Sequence, residues 1–166
     1  GWCLGNLFTL NTRERFLCML AASLPDLDGL TLIFGRELYW KTHHVIGHGF
    51  IAAITVSAIL SYFSRQKLKC FFIYMLLFHI HLLMDIAGSG SFWKIYYLWP
   101  FSDYGVEWAH AWEFYSWQNI SCGMIMLLWT LAIIYFKKRS FLEYPMPSLD
   151  RQIVNVAEKI RDQLRS

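Results

Sequence analysis

The sequence has few charged residues and lacks the signatures of nucleic-acid binding. Charged residues make up 16% of the 166 positions, whereas soluble domains usually carry about 25%. The sequence contains no long basic tract and no glycine-rich phosphate loop, so we expect no nucleic-acid partner. The four cysteines stand without CxxC spacing, which favours free thiols over a disulfide framework or a zinc knuckle.

Apolar and aromatic residues are abundant instead. Hydrophobic residues account for 56% of the chain and aromatic residues for 18%, and the mean hydropathy is +0.34. This composition predicts an all-α, multi-pass transmembrane helical bundle in residues 1–140. We expect about five membrane-embedded helices, in residues 2–10, 16–24, 44–63, 70–87 and 119–136.

The character of the sequence changes at its C-terminal end. Residues 141–166 contain two prolines and then a segment that predicts an amphipathic cytoplasmic helix with Ser148 as N-cap. Its apolar residues recur at helical spacing: Leu149, Ile153, Val156, Ala157, Ile160 and Leu164. The N-terminus has no start methionine and no charged leader, so we expect the first residues of the protein to be missing.

Basic residues cluster at three ends of the apolar segments. The clusters are Arg13 and Arg15; Arg65, Lys67 and Lys69; and Lys137, Lys138 and Arg139. The positive-inside rule assigns all three clusters to the cytoplasm, together with the C-terminal helix. This topology predicts that polar residues from three distant segments converge on the non-cytoplasmic side: Asp26, Asp28, His48, His81 and Asp85.

The spacing of these residues suits metal binding. His81 and Asp85 are four residues apart and share one helix face, and Asp26 and Asp28 flank Leu27 in a turn-forming stretch. Mixed nitrogen and oxygen ligands suit zinc, or alternatively manganese or a related divalent ion. Because the candidates exceed the needs of one tetrahedral ion, we expect two ions. Taken singly, each histidine is more typical of helix packing and the aspartates of a turn.

Four motifs occur in an order that resembles a known family. They are LPDLD at 24–28, HHVIGHG at 43–49, HLLMD at 81–85 and LWPFS at 98–102. Together they resemble the YdjM-like family of membrane-bound, predicted metal-dependent hydrolases. The resemblance implies six metal ligands, Asp26, Asp28, His43, His48, His81 and Asp85, and a loop near the site that contains Pro100, Phe101 and Ser102. The second motif departs from the family pattern HRGxTHS, and residues 1–10 lack the histidine common in the family's first helix.

The partner of His48 is left open between two residues. Helical spacing pairs His44 with His48, whereas the family pattern pairs His43 with His48. The family pattern favours His43, located in a loop before the helix.

The leading hypothesis is an integral-membrane metal-dependent hydrolase. It would cleave an ester or phosphoester bond of a lipid or lipid-linked substrate with a metal-activated water, with Asp26, Asp28 and Asp85 as candidate catalytic carboxylates. Lys94, with the loop residues Pro100 to Ser102, is a candidate substrate contact. The alternatives are a metal-ion transporter or sensor, because intramembrane His and Asp also line ion pathways, and a non-catalytic structural membrane protein.

Overall fold

The computed structural model describes residues 1–91 and 93–163, and in these residues the chain is all-helical. Seven α-helices follow one another: α1 (Trp2–Gly5), α2 (Thr12–Ser23), α3 (Arg36–Thr42), α4 (Phe50–Tyr62), α5 (Lys67–Gly88), α6 (Trp117–Lys137) and α7 (Pro147–Gln163). A 3₁₀ helix, Leu24–Phe34, continues α2. The described residues form no strand, only a single bridge between Ile95 and Val106. The prediction of an all-α fold is therefore confirmed.

Helix α2 begins and ends at positions that its sequence explains. The Asn11 side chain accepts from the Glu14 backbone N–H, and Glu14 accepts from the Asn11 backbone N–H, both at 2.9 Å, which forms a capping box. At the other end, Pro25 has no N–H for the α-helical ladder. The backbone tightens there into the 3₁₀ helix that carries the LPDLD motif.

Within the described part of the chain, three helical segments are long and apolar enough to cross a membrane: Thr12–Phe34, Lys67–Gly88 and Trp117–Lys137. The predicted number of about five membrane-embedded helices is not confirmed. Residues 2–10 form only the short α1, and the segment predicted at 44–63 becomes helical only at Phe50. His44 has a left-handed φ of 64°, a conformation that a helix cannot contain. Helix α4 is therefore 13 residues long, about 20 Å at a rise of about 1.5 Å per residue.

The core lies around α5, which packs against α2 and α4. Tyr74, Leu77 and Phe78 of α5 are almost completely buried. The Tyr74 hydroxyl is 2.8 Å from the Ser64 hydroxyl, so its polar end is satisfied inside the core. Helix α6 packs instead on α1 and α7.

The three basic clusters meet at the end of the bundle where α5 begins. The Glu14 carboxylate accepts from the Arg65 backbone N–H at 2.9 Å. Arg15 forms a two-pronged ion pair with Glu143, at 2.6 and 2.5 Å, and Lys137 donates to the Asn6 carbonyl at 2.6 Å. His81 and Asp85 lie near the opposite end of α5.

Helix α7 is held to the end of α6 by polar contacts. Lys138 forms a 2.7 Å ion pair with Glu158, and the Ser140 N–H donates to Asp150 at 2.6 Å. The helix begins at Pro147, so Ser148 lies inside its first turn and is not the N-cap. Proline is favoured at this first position because its missing N–H would have had no helical partner. Leu164 lies outside the described residues.

The buried Arg15–Glu143 ion pair provides a test of the fold. The change Glu143→Gln should lower the free energy of unfolding by about 3–5 kcal/mol, because it leaves a buried guanidinium without its carboxylate. The two side chains are only 7% and 9% exposed. Unfolding of the detergent-solubilised protein by heat or denaturant measures the loss.

The matched control is Glu37→Gln. Glu37 pairs with Lys41 at 2.7 Å, but these side chains are 85% and 68% exposed. Loss of the Glu37–Lys41 pair should change the free energy of unfolding by less than about 1 kcal/mol. Equal effects of the two variants would contradict a structural role for the buried pair.

Candidate metal centre

Four polar side chains from three parts of the chain meet near the end of α5. Asp26 comes from the 3₁₀ helix, His48 from the connector before α4, and His81 and Asp85 from α5. One ligand atom from each lies within 4.8 Å of all the others. The described residues contain this one group of metal-ligating side chains. The predicted convergence of these four residues is therefore present in the structure.

Five of the six separations among the four ligand atoms are close to the edge length of a coordination tetrahedron. His81 Nε2 is 3.0 Å from Asp85 Oδ2 and 3.4 Å from His48 Nε2. His48 Nε2 is 3.3 Å from Asp85 Oδ2, and Asp26 Oδ1 is 3.7 and 3.4 Å from the two imidazole nitrogens. Zinc bonds of about 2.0–2.1 Å in tetrahedral geometry require ligand separations of about 3.3 Å. A zinc-sized ion therefore fits among these atoms.

Charge and hydrogen bonding also favour a cation here. The group contains two carboxylates and two imidazoles, and no lysine or arginine pairs with either carboxylate among the described residues. The buried Oδ2 of Asp85 has no hydrogen bond of acceptable geometry within the described chain. A divalent ion would satisfy this atom and neutralise both carboxylates, which matters in a membrane, where uncompensated charge is costly.

Asp28 lies behind His48 rather than in the four-residue group. Its Oδ2 is 3.0 Å from His48 Nδ1 and accepts from the backbone N–H groups of His44 and Gly47, both at 3.1 Å. Its Oδ1 is 2.7 Å from His43 Nδ1. A carboxylate on Nδ1 orients a metal-binding histidine and leaves Nε2 to face the ion. The assignment of Asp28 and His43 as direct ligands remains a prediction.

The connector between α3 and α4 passes close to Asp28 because residue 47 is a glycine. A Cβ added to Gly47 would lie 2.9 Å from Asp28 Oδ2 and closer still to the Pro25 carbonyl oxygen. Any side chain here would push the connector away from the 3₁₀ helix. Gly47 therefore allows His48 and Asp28 to approach each other.

His44 is an unusual member of this connector. Its side chain is buried, its φ is 64°, and its Nδ1 has no hydrogen-bond partner in the described chain. Non-glycine residues adopt this conformation rarely and often at functional sites. Burial, reinforced by the nearby His48 and His43, lowers the pKa of His44 to about 4, so its imidazole is neutral at pH 7.

The aromatic stretch after α5 fixes the connector from the other side. The Tyr96 N–H donates to the His44 carbonyl at 3.1 Å, and the Phe50 N–H donates to the Tyr97 carbonyl at 2.8 Å. The Tyr97 hydroxyl is 2.7 Å from His79 Nε2. His79 thus faces away from the centre, as its two-residue offset from His81 predicts.

A cavity of about 420 Å³ adjoins the four-residue group. Aromatic rings form much of its wall, and the polar side chains are those of Asp26, His43, His44, Asp85 and Ser89. The Asp26 side chain is 57% exposed, whereas that of His48 is completely buried. The centre is therefore accessible from the Asp26 side.

The predicted substrate contacts lie outside this cavity wall. Lys94 pairs with Glu107 at 3.2 Å and lines a neighbouring cavity that includes Trp40 and His43. Phe101 is 84% exposed, and the Ser102 hydroxyl accepts from the Tyr104 N–H. The roles of Lys94, Pro100, Phe101 and Ser102 in substrate binding remain predictions.

Gly47 offers a test of the connector. The change Gly47→Ala should separate Asp28 from His48 and weaken zinc binding by at least about tenfold, the usual effect of losing a group that orients a ligand. Zinc affinity of the purified protein, measured by competition with a chelator, reports the change.

Gly49→Ala is the matched control. A Cβ at Gly49 would find its nearest atom, the Tyr97 carbonyl oxygen, at 3.4 Å, an ordinary contact. Zinc affinity should stay within about twofold of the parent. A Gly47→Ala protein with unchanged affinity would contradict the role of the close approach.

Comparisons with known proteins agree with the membrane character of the chain. No curated protein and no solved structure matches it. A family model described as YdjM inner membrane protein matches residues 3–144, which include all the candidate metal-binding residues. With three helices able to cross a membrane, this match identifies a membrane protein, and the chain belongs to the YdjM inner membrane protein family.

Proposed function

We propose that the protein is an integral-membrane metal-dependent hydrolase that cleaves an ester or phosphoester bond of a lipid or lipid-linked substrate. The observation that carries this proposal is the close approach of Asp26, His48, His81 and Asp85, with one ligand atom of each within 4.8 Å of the others, beside an accessible cavity. The resemblance to predicted metal-dependent hydrolases points to the same reaction class.

His48, His81 and Asp85 are the three residues that would hold the ion. Two imidazoles and one carboxylate form a typical ligand set of catalytic zinc sites, which leave one position for water or substrate. That position would face Asp26, the most exposed of the four side chains. The two nitrogen ligands favour zinc over manganese.

One ion accounts for the geometry better than two. Both oxygens of Asp28 are engaged, Oδ1 with His43 and Oδ2 with His48 and two backbone N–H groups. They have little capacity left for a second ion. We therefore favour one zinc per chain, in place of the two ions expected from the sequence.

The roles of the carboxylates follow from their positions. When bound, the ion supplies a water of lowered pKa and polarises the scissile group. Asp26, exposed at the cavity, would accept the proton of the attacking water. Asp85 would serve as a ligand, and Asp28 would orient His48 through Nδ1. His44 would line the substrate side of the centre.

The orientation in the membrane follows from the basic residues. The three basic clusters gather at one end of the bundle and would be cytoplasmic by the positive-inside rule, as would α7. The metal centre would then face the non-cytoplasmic side. A multi-pass chain in this orientation would meet lipid substrates of the outer leaflet.

Buried apolar residues between the metal centre and the basic end of the bundle argue against the alternative of a metal transporter. An ion path from the centre to the cytoplasm would need polar groups along α5, but Ile73, Leu77 and Phe78 are buried apolar residues on that route. Zinc uptake into proteoliposomes would support transport instead. A purified protein without stoichiometric metal would support a structural role.

Asp85→Asn tests the centre itself. Loss of this ligand should reduce bound zinc from about one equivalent to well below 0.1 and abolish release of water-soluble product from a membrane-lipid extract, because a catalytic zinc site needs its three protein ligands. Elemental analysis and the lipid assay measure the two effects. The exposed Asp162→Asn in α7 should change neither, and an active Asp85→Asn protein would refute the proposal.

Asp26→Asn separates catalysis from metal binding. Without this carboxylate the protein should keep about one zinc but lose about 10²–10⁴-fold in kcat, the usual contribution of a general base. Zinc analysis and steady-state kinetics on the same preparation decide the outcome. Loss of zinc together with activity would make Asp26 a required ligand rather than the base.

A further inference from the structure

A second cavity of about 330 Å³ lies between α5 and α6 and adjoins the metal centre. Asp85, Ser89 and Phe114 line both this cavity and the one beside Asp26. Apart from the polar Asn119, the remaining wall residues are small or apolar: Met84, Gly88, Cys122, Gly123 and Met126. We call this cavity the α5–α6 groove.

The groove exists because α5 and α6 are joined at one end and then pack on different neighbours. At the end near the metal centre, Asn119 donates to the Gly88 carbonyl at 2.8 Å and accepts from the Trp112 indole at 2.7 Å. Further along, α5 packs on α2 and α4, whereas α6 packs on α1 and α7. Between the Asn119 contact and the basic end of the bundle, the two helices therefore leave an open gap, which is the seam between α5 and α6.

One face of α6 forms its side of the seam. Asn119, Cys122, Gly123 and Met126 are spaced at i, i+3, i+4 and i+7, so they point in one direction. A Cβ added to Gly123 would have no neighbour within 4 Å. The absence of a side chain at Gly123 thus widens the groove at its midpoint.

The groove continues towards the other end of the bundle. Met126 also lines a third cavity, of about 370 Å³, whose wall includes Trp2, Met19 and Thr130. From Asn119 to Thr130 the path runs along eleven residues of α6, about 16 Å at a rise of about 1.5 Å per residue. This length covers about half of a hydrocarbon core of about 30 Å.

We propose that the α5–α6 groove binds the hydrocarbon chain of a lipid whose phosphorylated head group reaches the metal centre, an inference that rests on the proposed function. The polarity of the walls specifies such an amphiphile. Among the described residues that line the groove, Asp85 is the one with a charge, and it lies where the groove meets the metal centre. A lipid would enter sideways between α5 and α6, with its head group beside Asp26 and its chain against Gly123 and Met126.

Photo-crosslinking tests the occupant directly. The full chain, zinc-loaded in detergent, is irradiated with a dodecyl phosphate that carries a diazirine in its alkyl chain, and labelled residues are mapped by mass spectrometry. Labelling is expected at Met84, Cys122 and Met126. Excess dodecyl phosphate should suppress it at least fivefold, whereas butyl phosphate and inorganic phosphate should not. Labelling of Ile125, which is exposed and does not line the groove, should resist competition and reports bulk detergent.

A pair of tryptophan variants sharpens the test. Gly123→Trp fills the groove and should reduce competable labelling at Met84 and Met126 at least tenfold. Ile125→Trp places the same ring on another face of α6, about 200° away, and should leave the labelling unchanged. Both variants should retain zinc, since neither contacts the centre. Two results would refute the proposal that the α5–α6 groove binds a hydrocarbon chain. One is equal labelling of Met126 and Ile125 that excess dodecyl phosphate does not suppress, and the other is labelling that Gly123→Trp does not reduce.

Zinc content and product release, measured on the same samples, separate the two proposals. A protein that binds zinc and hydrolyses lipid but shows no competable label refutes the groove alone. A competable label without zinc or hydrolysis refutes the metal-dependent hydrolase and also the head-group contact with the metal, because the chain would then bind for another reason.

Discussion

The polar end of the molecule depends on the carboxylate of Asp28. This group joins the 3₁₀ helix to the connector through His43, His48 and two backbone N–H groups. Without it, the connector would lose four polar contacts to the LPDLD turn, and His48 would lose the partner that orients its ring. With Nδ1 of His48 held by Asp28, Nε2 has one direction left, towards Asp26, His81 and Asp85. A buried imidazole on a carboxylate is a strong, directional contact.

Much of this arrangement was predictable from local spacing. His81 and Asp85 share a helix face at any place in a helix, and basic residues at the segment ends predicted which polar groups lie at the same end of the bundle. The sequence could not reveal which aspartate of LPDLD faces the centre, because a turn can direct either one inward. The 3₁₀ geometry exposes Asp26 to the cavity and buries Asp28 against the connector.

Other features depended on tertiary contacts that leave little trace in the sequence. The backbone of His44 is left-handed, a conformation that few non-glycine residues adopt, so the start of α4 was predicted six residues too early. The need for a glycine at position 47 follows from the nearby Pro25 carbonyl oxygen, which leaves no room for a side chain. In the sequence, the close approach of the connector to the 3₁₀ helix is indicated only by the two glycines, 47 and 49, in a histidine-rich stretch. The α5–α6 groove likewise results from helices that diverge, which hydropathy does not record.

Helix α4 has a consequence for the surrounding bilayer. The turn that joins α4 to α5 lies at the basic end of the bundle. The length of α4 is only about 20 Å, whereas the hydrocarbon core of a membrane is about 30 Å thick. In the proposed orientation, with the basic end at the cytoplasmic surface, His48 and its neighbours would lie about 10 Å below the far surface of the hydrocarbon core. The aromatic segment between α5 and α6 occupies the space above them, held by Tyr96 and Tyr97. Protein rather than lipid would then cover this part of the leaflet, and a scissile bond would have to lie about 10 Å below the surface of the hydrocarbon core to reach the candidate metal ligands.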